Sequence, residues 1–152
     1  MATKVFNYTR LSKYIYLGTT LYSHRDLETV LSLGIKADVD LELEKMDHPE
    51  NLTAYLWLPV RDFEAPSIEQ FYLGVYFIDQ LVKRRIKTLV HCNVGFGRAP
   101  SLIAAYFAAY RGKGITEAIS FMSHKRPGVS PNTKQIAGIK RFIGSFSRSL
   151  TK

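Results

Sequence analysis

The chain of 152 residues holds a single cysteine, and that scarcity excludes a good deal. One thiol cannot close an internal disulfide, so the fold must rest on its core, and an unpaired thiol fits a reducing compartment such as the cytoplasm. Histidines are few as well. His24, His48, His91 and His124 lie scattered and no second cysteine joins them, so no zinc-type ligand set and no cofactor are expected. No apolar run reaches the ~18–20 residues of a membrane span, and the N-terminus lacks the apolar core of a secretory signal. The last residues, Ser149-Leu150-Thr151-Lys152, offer no cysteine for prenylation, so no membrane anchor is expected. Repeats, linkers and low-complexity tracts are absent. The length predicts a single domain over residues 1–152, with residues 1–10 as a loose N-terminal arm.

Negative charge is also short. Thirteen Asp and Glu face 21 Lys and Arg, a net charge of +8. This excess suits acidic, phosphorylated partners, or simply a soluble basic surface. Lys83-Arg84-Arg85 closes a predicted helix, where the dipole favours cations. No basic motif interleaved with aromatics is present, so nucleic acid is not expected as a partner.

What is present is concentrated in His91-Cys92-Asn93-Val94-Gly95-Phe96-Gly97-Arg98. The apolar Thr88-Leu89-Val90 precedes it and the apolar run Leu102 to Tyr110 follows, which reads as strand, tight loop, helix. Such a loop turns successive backbone N–H groups inward at a helix N-terminus and binds an anion. The same field draws a thiol pKa from about 8.5 into the roughly 3.5–7.5 range, making Cys92 a nucleophile. Arg98 then supplies a fork for two phosphate oxygens that lysine would not reproduce. Gly95 and Gly97 permit the turns and the close approach.

Around this motif the pattern alternates. Tyr14–Gly18 reads as a strand, and Ser23 with Asp26 resembles a capping box for a helix burying Leu27, Val30 and Leu31 up to Gly34. Residues 37–42 and 55–60 alternate as strands. Ser67 opens a helix whose stripe is Ile68, Phe71, Val75, Ile78 and Val82. A short helix from Thr116 carries Ala118, Ile119 and Met122. The last helix runs from Pro131 or Asn132 to Ser147, burying Ile136, Ile139, Ile143 and Phe146. Strands alternating with helices predict an α/β fold, a central mostly parallel sheet flanked by helices, with the active loop at a strand's carboxyl end.

The H-C-x-x-G-x-G-R motif resembles the signature of the cysteine-dependent protein tyrosine phosphatase superfamily, and residues from about Tyr14 to Phe142 resemble its small dual-specificity branch. The resemblance implies a dual-specificity phosphatase-like fold and hydrolysis of phosphate monoesters through a cysteinyl-phosphate. Cys92 is then the nucleophile, Arg98 the phosphate fork, and the amides from Asn93 through Val94, Gly95, Phe96 and Gly97 to Arg98 the phosphate cradle. His91 becomes a supporting residue bonded to the loop. Asp62, thirty positions before Cys92 on a Pro- and Ser-bounded loop, matches the family's general acid, and Glu64 is the second candidate. Where most members carry serine or threonine after the arginine, Ala99-Pro100 stands here, similar to the regenerating-liver phosphatases, as is Asn132-Thr133-Lys134-Gln135. Ser101 is the nearest hydroxyl that compensates for Ala99, or else packs at the helix start.

Asn93, Val94, Phe96 and Gly97 are uncharged, which argues against polyphosphorylated lipid headgroups, and Phe96 offers an aromatic edge to aryl phosphates. The expected substrates are phosphorylated proteins. Two alternatives stand beside this: a phospho-residue reader that turns over slowly because of Ala99, and a phosphatase for a non-protein ester such as a phospholipid headgroup or an RNA 5′ end.

Overall fold

The computed structural model describes residues 4–151. Its elements are β1 (Tyr8–Arg10), β2 (Ile15–Gly18), α1 (His24–Ser32), β3 (Ile35–Glu42), β4 (Ala54–Val60), α2 (Ile68–Lys83), β5 (Lys87–His91), α3 (Arg98–Tyr110), α4 (Ile115–Lys125) and α5 (Thr133–Leu150). The strands form one sheet in the order β1-β2-β5-β3-β4. All pairings are parallel except β1 with β2, so the expected α/β architecture is the one adopted. Pro59, which cannot donate to a ladder, sits on the edge strand β4, where its missing N–H is tolerated.

Side chains alternate across each strand, so the sheet has two distinct faces. Leu17, Val39, Leu41 and Val90 enter the larger core with Phe71, Val75 and Ile78 of α2, Leu102, Ile103 and Tyr106 of α3, and Phe142 of α5. Tyr16 and Leu89 enter a smaller core with Leu21 and with Val30 of α1. On its other alternating positions β3 carries Asp38, Asp40 and Glu42, all buried. Both helical caps read from sequence are present. Asp26 accepts from the Tyr22 and Ser23 amides, and Ser67 Oγ accepts from the Gln70 amide.

Three boundaries differ from expectation. Residues 8–10 of the supposed loose arm form β1, because Asn7 and Thr19 exchange hydrogen bonds that dock the segment on β2; residues 1–3 lie outside the described residues. A three-residue strand carries too little alternation to be read. Helix α3 begins at Arg98, four residues before its apolar run, because the loop needs a helix N-terminus there and Pro100 is at home in a first turn. The buried stripe of α5 is Gln135, Gly138, Ile139 and Phe142, with Ile136, Ile143 and Phe146 flanking it half-buried.

Strand β5 lies between β2 and β3, so its carboxyl end opens at the middle of the sheet. The connections after β5 (92–97), after β4 (61–67) and after β3 (43–53) converge there, as parallel strands require.

Candidate active site

The loop after β5 is held from outside by its carbonyls. The Asn93 carbonyl accepts from the Thr20 amide at 3.0 Å and the Phe96 carbonyl from the Ser130 amide at 2.9 Å. The Val94 and Gly95 carbonyls accept from the Arg126 guanidinium at 2.9 and 3.3 Å. Across a trans peptide the next residue's N–H points opposite to the C=O. Four outward carbonyls therefore turn the amides of Val94, Gly95, Phe96 and Gly97 inward, toward the buried Cys92 and the start of α3. Gly95 has a φ of +79°, and a Cβ there would meet the Gly18 carbonyl oxygen at 2.7 Å. A side chain would break the cradle twice over, by strain and by collision.

Arg98 is 1% exposed, and its five N–H groups can be accounted for. Nη1 donates to Glu44 Oε1 at 2.6 Å and to the Val60 carbonyl at 2.8 Å; Nη2 donates once, to Glu44 Oε2 at 3.2 Å. Among the described residues Nε has no hydrogen-bond partner. The guanidinium is thus clamped along one edge and keeps a free fork, Nε–H with the remaining Nη2 hydrogen. Burial works against the charge on Arg98, but the Glu44 carboxylate outweighs it and raises the pKa. Burial likewise opposes ionised Glu44, and the Arg98 bond overcomes it, holding that carboxyl below its ordinary range.

Asp62 lies at the mouth of this fork, with Oδ1 3.5 Å from Arg98 Nε and its side chain half exposed. Glu64 faces elsewhere, in an ion pair with Lys134 Nζ at 2.9 Å. The loop that carries Asp62 is pinned to α5, since Asn132 Nδ2 donates to the Phe63 carbonyl and Gln135 Nε2 to the Glu64 carbonyl. Gln135 also packs beneath Gly97, where a Cβ would come within 2.9 Å of its Oε1. One buried amide therefore spaces the Asp62 loop from the Cys92 loop. Ala99 is fully buried, and Ser101 Oγ donates to the Gly97 carbonyl at 2.7 Å. Val94 and Phe96 are exposed on the rim, with the Arg126 guanidinium 5.5 Å from the Phe96 ring centre.

His91 is fully buried and faces acids as much as the loop. Nδ1 lies 3.4 Å from the Cys92 carbonyl oxygen and 3.4 Å from Glu42 Oε1. Nε2 lies 2.6 Å from Asp47, 3.2 Å from Asp38 and 3.8 Å from Asp40. Burial would strip the imidazole's proton, yet these charges, Asp38 first, lift its pKa well above the usual range. Burial pushes Asp40 up to about 6. Scattered histidines suggested no ligand cluster; the structure brings His91 together with carboxylates instead, a combination that a search for histidine and cysteine does not reveal. Glu44 and Arg126 are the other site residues that sequence reasoning missed, and Gln135 entered it only within a motif resemblance, without a role. Each is a polar residue in a polar stretch, and its partner lies 31 or more positions away.

The family model described as the dual specificity phosphatase catalytic domain matches residues 15–143. Human dual specificity protein phosphatase 2 is 28% identical over 130 residues, covering 85% of this chain and 41% of that protein. Tyrosine-protein phosphatase yvh1 of Schizosaccharomyces pombe is 30% identical over 140 residues, covering 89% of this chain and 41% of that protein. The chain thus spans about two-fifths of the length of these curated relatives. The solved structure of Tk-PTP in the active form superposes with a TM-score of 0.80 at 25% identity, covering 90% of this chain and 96% of that one. PTPMT1 in complex with PI(5)P shares the fold, with a TM-score of 0.84 at 19% identity over 94% of this chain and 98% of that one. The chain belongs to the dual-specificity phosphatase catalytic domain family, the small-domain branch of the cysteine-dependent tyrosine phosphatases.

Proposed function

We propose that this chain acts as a single catalytic domain that removes phosphate from phosphoproteins, at tyrosine and also at serine and threonine, by way of a cysteinyl-phosphate. The observation that carries this reading is the free fork of Arg98 beside four inward amides and Cys92. That set presents donors to a tetrahedral dianion and a sulfur to its phosphorus. Cys92 Sγ attacks phosphorus while the bond to the ester oxygen breaks, and protonated Asp62 gives its proton to the departing oxygen. Water then attacks the phosphocysteine. Asp62 takes the water proton, and the P–S bond electrons return to Cys92. Asn93, Val94, Gly95, Phe96, Gly97 and Arg98 hold the phosphoryl oxygens throughout. His91 supports the loop from beneath, and no metal enters the chemistry. A lone reactive thiol suits the cytoplasm.

A slow second step has support of its own. Ala99 offers no hydroxyl to the departing thiolate, and Ser101 already uses its hydrogen on Gly97. The uncharged loop weighs against inositol phosphates, and no aromatic-interleaved basic motif favours RNA. Turnover of phosphotyrosine and phosphothreonine peptides, phosphoinositides and 5′-phosphorylated RNA tests the reading. Phosphopeptides should give the highest kcat/KM. A preference for either other class would replace the protein substrate with that ester.

A further inference from the structure

The other face of β5 holds an arrangement that phosphate ester chemistry does not use. Register places Asp40 of β3 directly opposite His91 of β5, and the alternation of β3 brings Asp38 and Glu42 to the same side. Asp47 arrives from the β3–β4 connection. Asp38, Asp40, Glu42, Asp47 and His91 are all no more than 5% exposed. Four carboxylates thus surround one imidazole, which supplies one positive charge at most. Lys45 donates its Nζ to the Leu21 carbonyl and acts on Asp47 through its charge without pairing with it directly. Among the described residues neither oxygen of Asp38 makes a hydrogen bond, Oδ1 meeting His91 Nε2 only as an ion pair at 3.2 Å, and neither does Oδ1 of Asp47. Buried carboxylate oxygens are ordinarily satisfied by donors or by metal, and here three are not.

We propose that this cage is a binding site for one divalent metal ion, held by His91 Nε2, Asp38 and Asp47. One ligand atom from each of Asp38, Asp47 and His91 lies within 4.8 Å of the others. Metal–ligand bonds of about 2.0–2.2 Å set adjacent donors roughly 3 Å apart. The spacing of 3.2 Å from Nε2 to Asp38 meets that directly, and the 2.6 Å to Asp47 opens by a small carboxylate rotation. Glu42 completes the design. It faces Nδ1 at 3.4 Å, the partner that fixes which ring nitrogen is left for the ion. One imidazole with several carboxylates and no thiolate suits Zn²⁺ or Mn²⁺. Asp40 stays outside this set, since the Tyr55 hydroxyl donates to its Oδ2 and the Glu42 amide to its Oδ1.

The ion's role is structural. It ties residues 43–53, which carry Glu44, to β5 beneath the loop, so it steadies the clamp on Arg98 from the far side of the sheet. It touches no phosphate. The site rests on the β3 acids and stands whether or not the proposed substrate class is right.

The test is metal content and unfolding temperature of the purified chain, stripped with a chelator, reloaded with Zn²⁺ or Mn²⁺ and desalted. Wild type should retain about one ion per chain and unfold at a higher temperature when loaded. Cys92→Ser should retain the ion as well, whereas Asp38→Asn and Asp47→Asn should lose it. Co²⁺ loaded into wild type should show only the weak visible bands of nitrogen and oxygen ligation. That reading stands even if the aspartate variants fail to fold. No retention and no thermal shift in wild type would overturn the site. Retention that survives Asp38→Asn would also overturn it. So would loss in Cys92→Ser or a thiolate-to-cobalt charge-transfer band, either of which would put the ion on the catalytic sulfur.

Discussion

Arg98 illustrates how much a single side chain depends on its neighbours. Glu44 takes one edge of the guanidinium and leaves the other open, so the clamp decides where the fork points. Glu44→Ala should lower kcat/KM by about 10²-fold, the effect of misplacing a positioned group by about 1 Å, with weaker vanadate binding as the companion measurement. Asp62→Asn should slow hydrolysis of a phosphotyrosine peptide by about 10²–10⁴-fold and an activated aryl phosphate by much less, since a good leaving group needs no proton. Glu64→Gln should do little, because its carboxylate is engaged by Lys134; a large loss there, with Asp62→Asn mild, would move the acid to Glu64. Cys92→Ser should abolish turnover and keep vanadate bound in the amide cradle. Ala99→Ser should speed breakdown of the phosphocysteine by about tenfold or more, since a hydrogen bond to a charged sulfur is worth about 1.5–3 kcal/mol. An alcohol burst in the native protein that fades in the variant is the expected record; no burst in either would mean that another donor already serves the thiolate.

At the level of elements, the loop is a product of three distant segments as much as of its own glycines. Arg126, in the turn after α4, bonds the Val94 and Gly95 carbonyls inward and Asn7 Oδ1 and Thr9 Oγ1 outward, fastening β1 to the loop. Arg126→Met keeps the packing and leaves buried acceptors without partners, at about 1–3 kcal/mol each. Denaturant unfolding should register a loss of roughly 2–5 kcal/mol, with vanadate affinity reduced in parallel; unchanged values for both would show that the loop stands without Arg126. The same residues mark what the chain made legible. The strand–loop–helix around Cys92 was readable because alternation, glycine spacing and an apolar helix all lie between Thr88 and Tyr110, and Asp62 because the family resemblance picks it out on a loop bracketed by a proline and a helix cap. Arg126 and Glu44 were not, since no local pattern announces a contact closed across 31 or 54 positions. The β3 acids were half readable. Their alternation with Val39 and Leu41 identified a strand but not that both of its faces are buried.

For the whole molecule the dominant quantity is charge. The net charge is +8, and exposed bases border the site: Arg61 beside Asp62, and Lys125 on a groove of about 340 Å³ shared with Tyr8, Thr9, Val94 and Phe96. A substrate whose phosphate sits among acidic residues feels this field well before contact, whereas a small aryl phosphate feels little beyond the cradle. Salt separates the two. The screening length falls from about 30 Å at 0.01 M to about 3 Å at 1 M ionic strength, which erases steering while sparing short buried contacts. The value of kcat/KM for an acidic phosphopeptide should therefore fall about tenfold or more across that range. For a small aryl phosphate it should change by no more than roughly two- to threefold, because the buried Arg98 fork acts only at contact distance. Measuring both substrates in the same salt series isolates the field from the site. A parallel decline would assign the salt effect to the loop itself, and a flat response for both would mean that the basic surface plays no part in choosing partners.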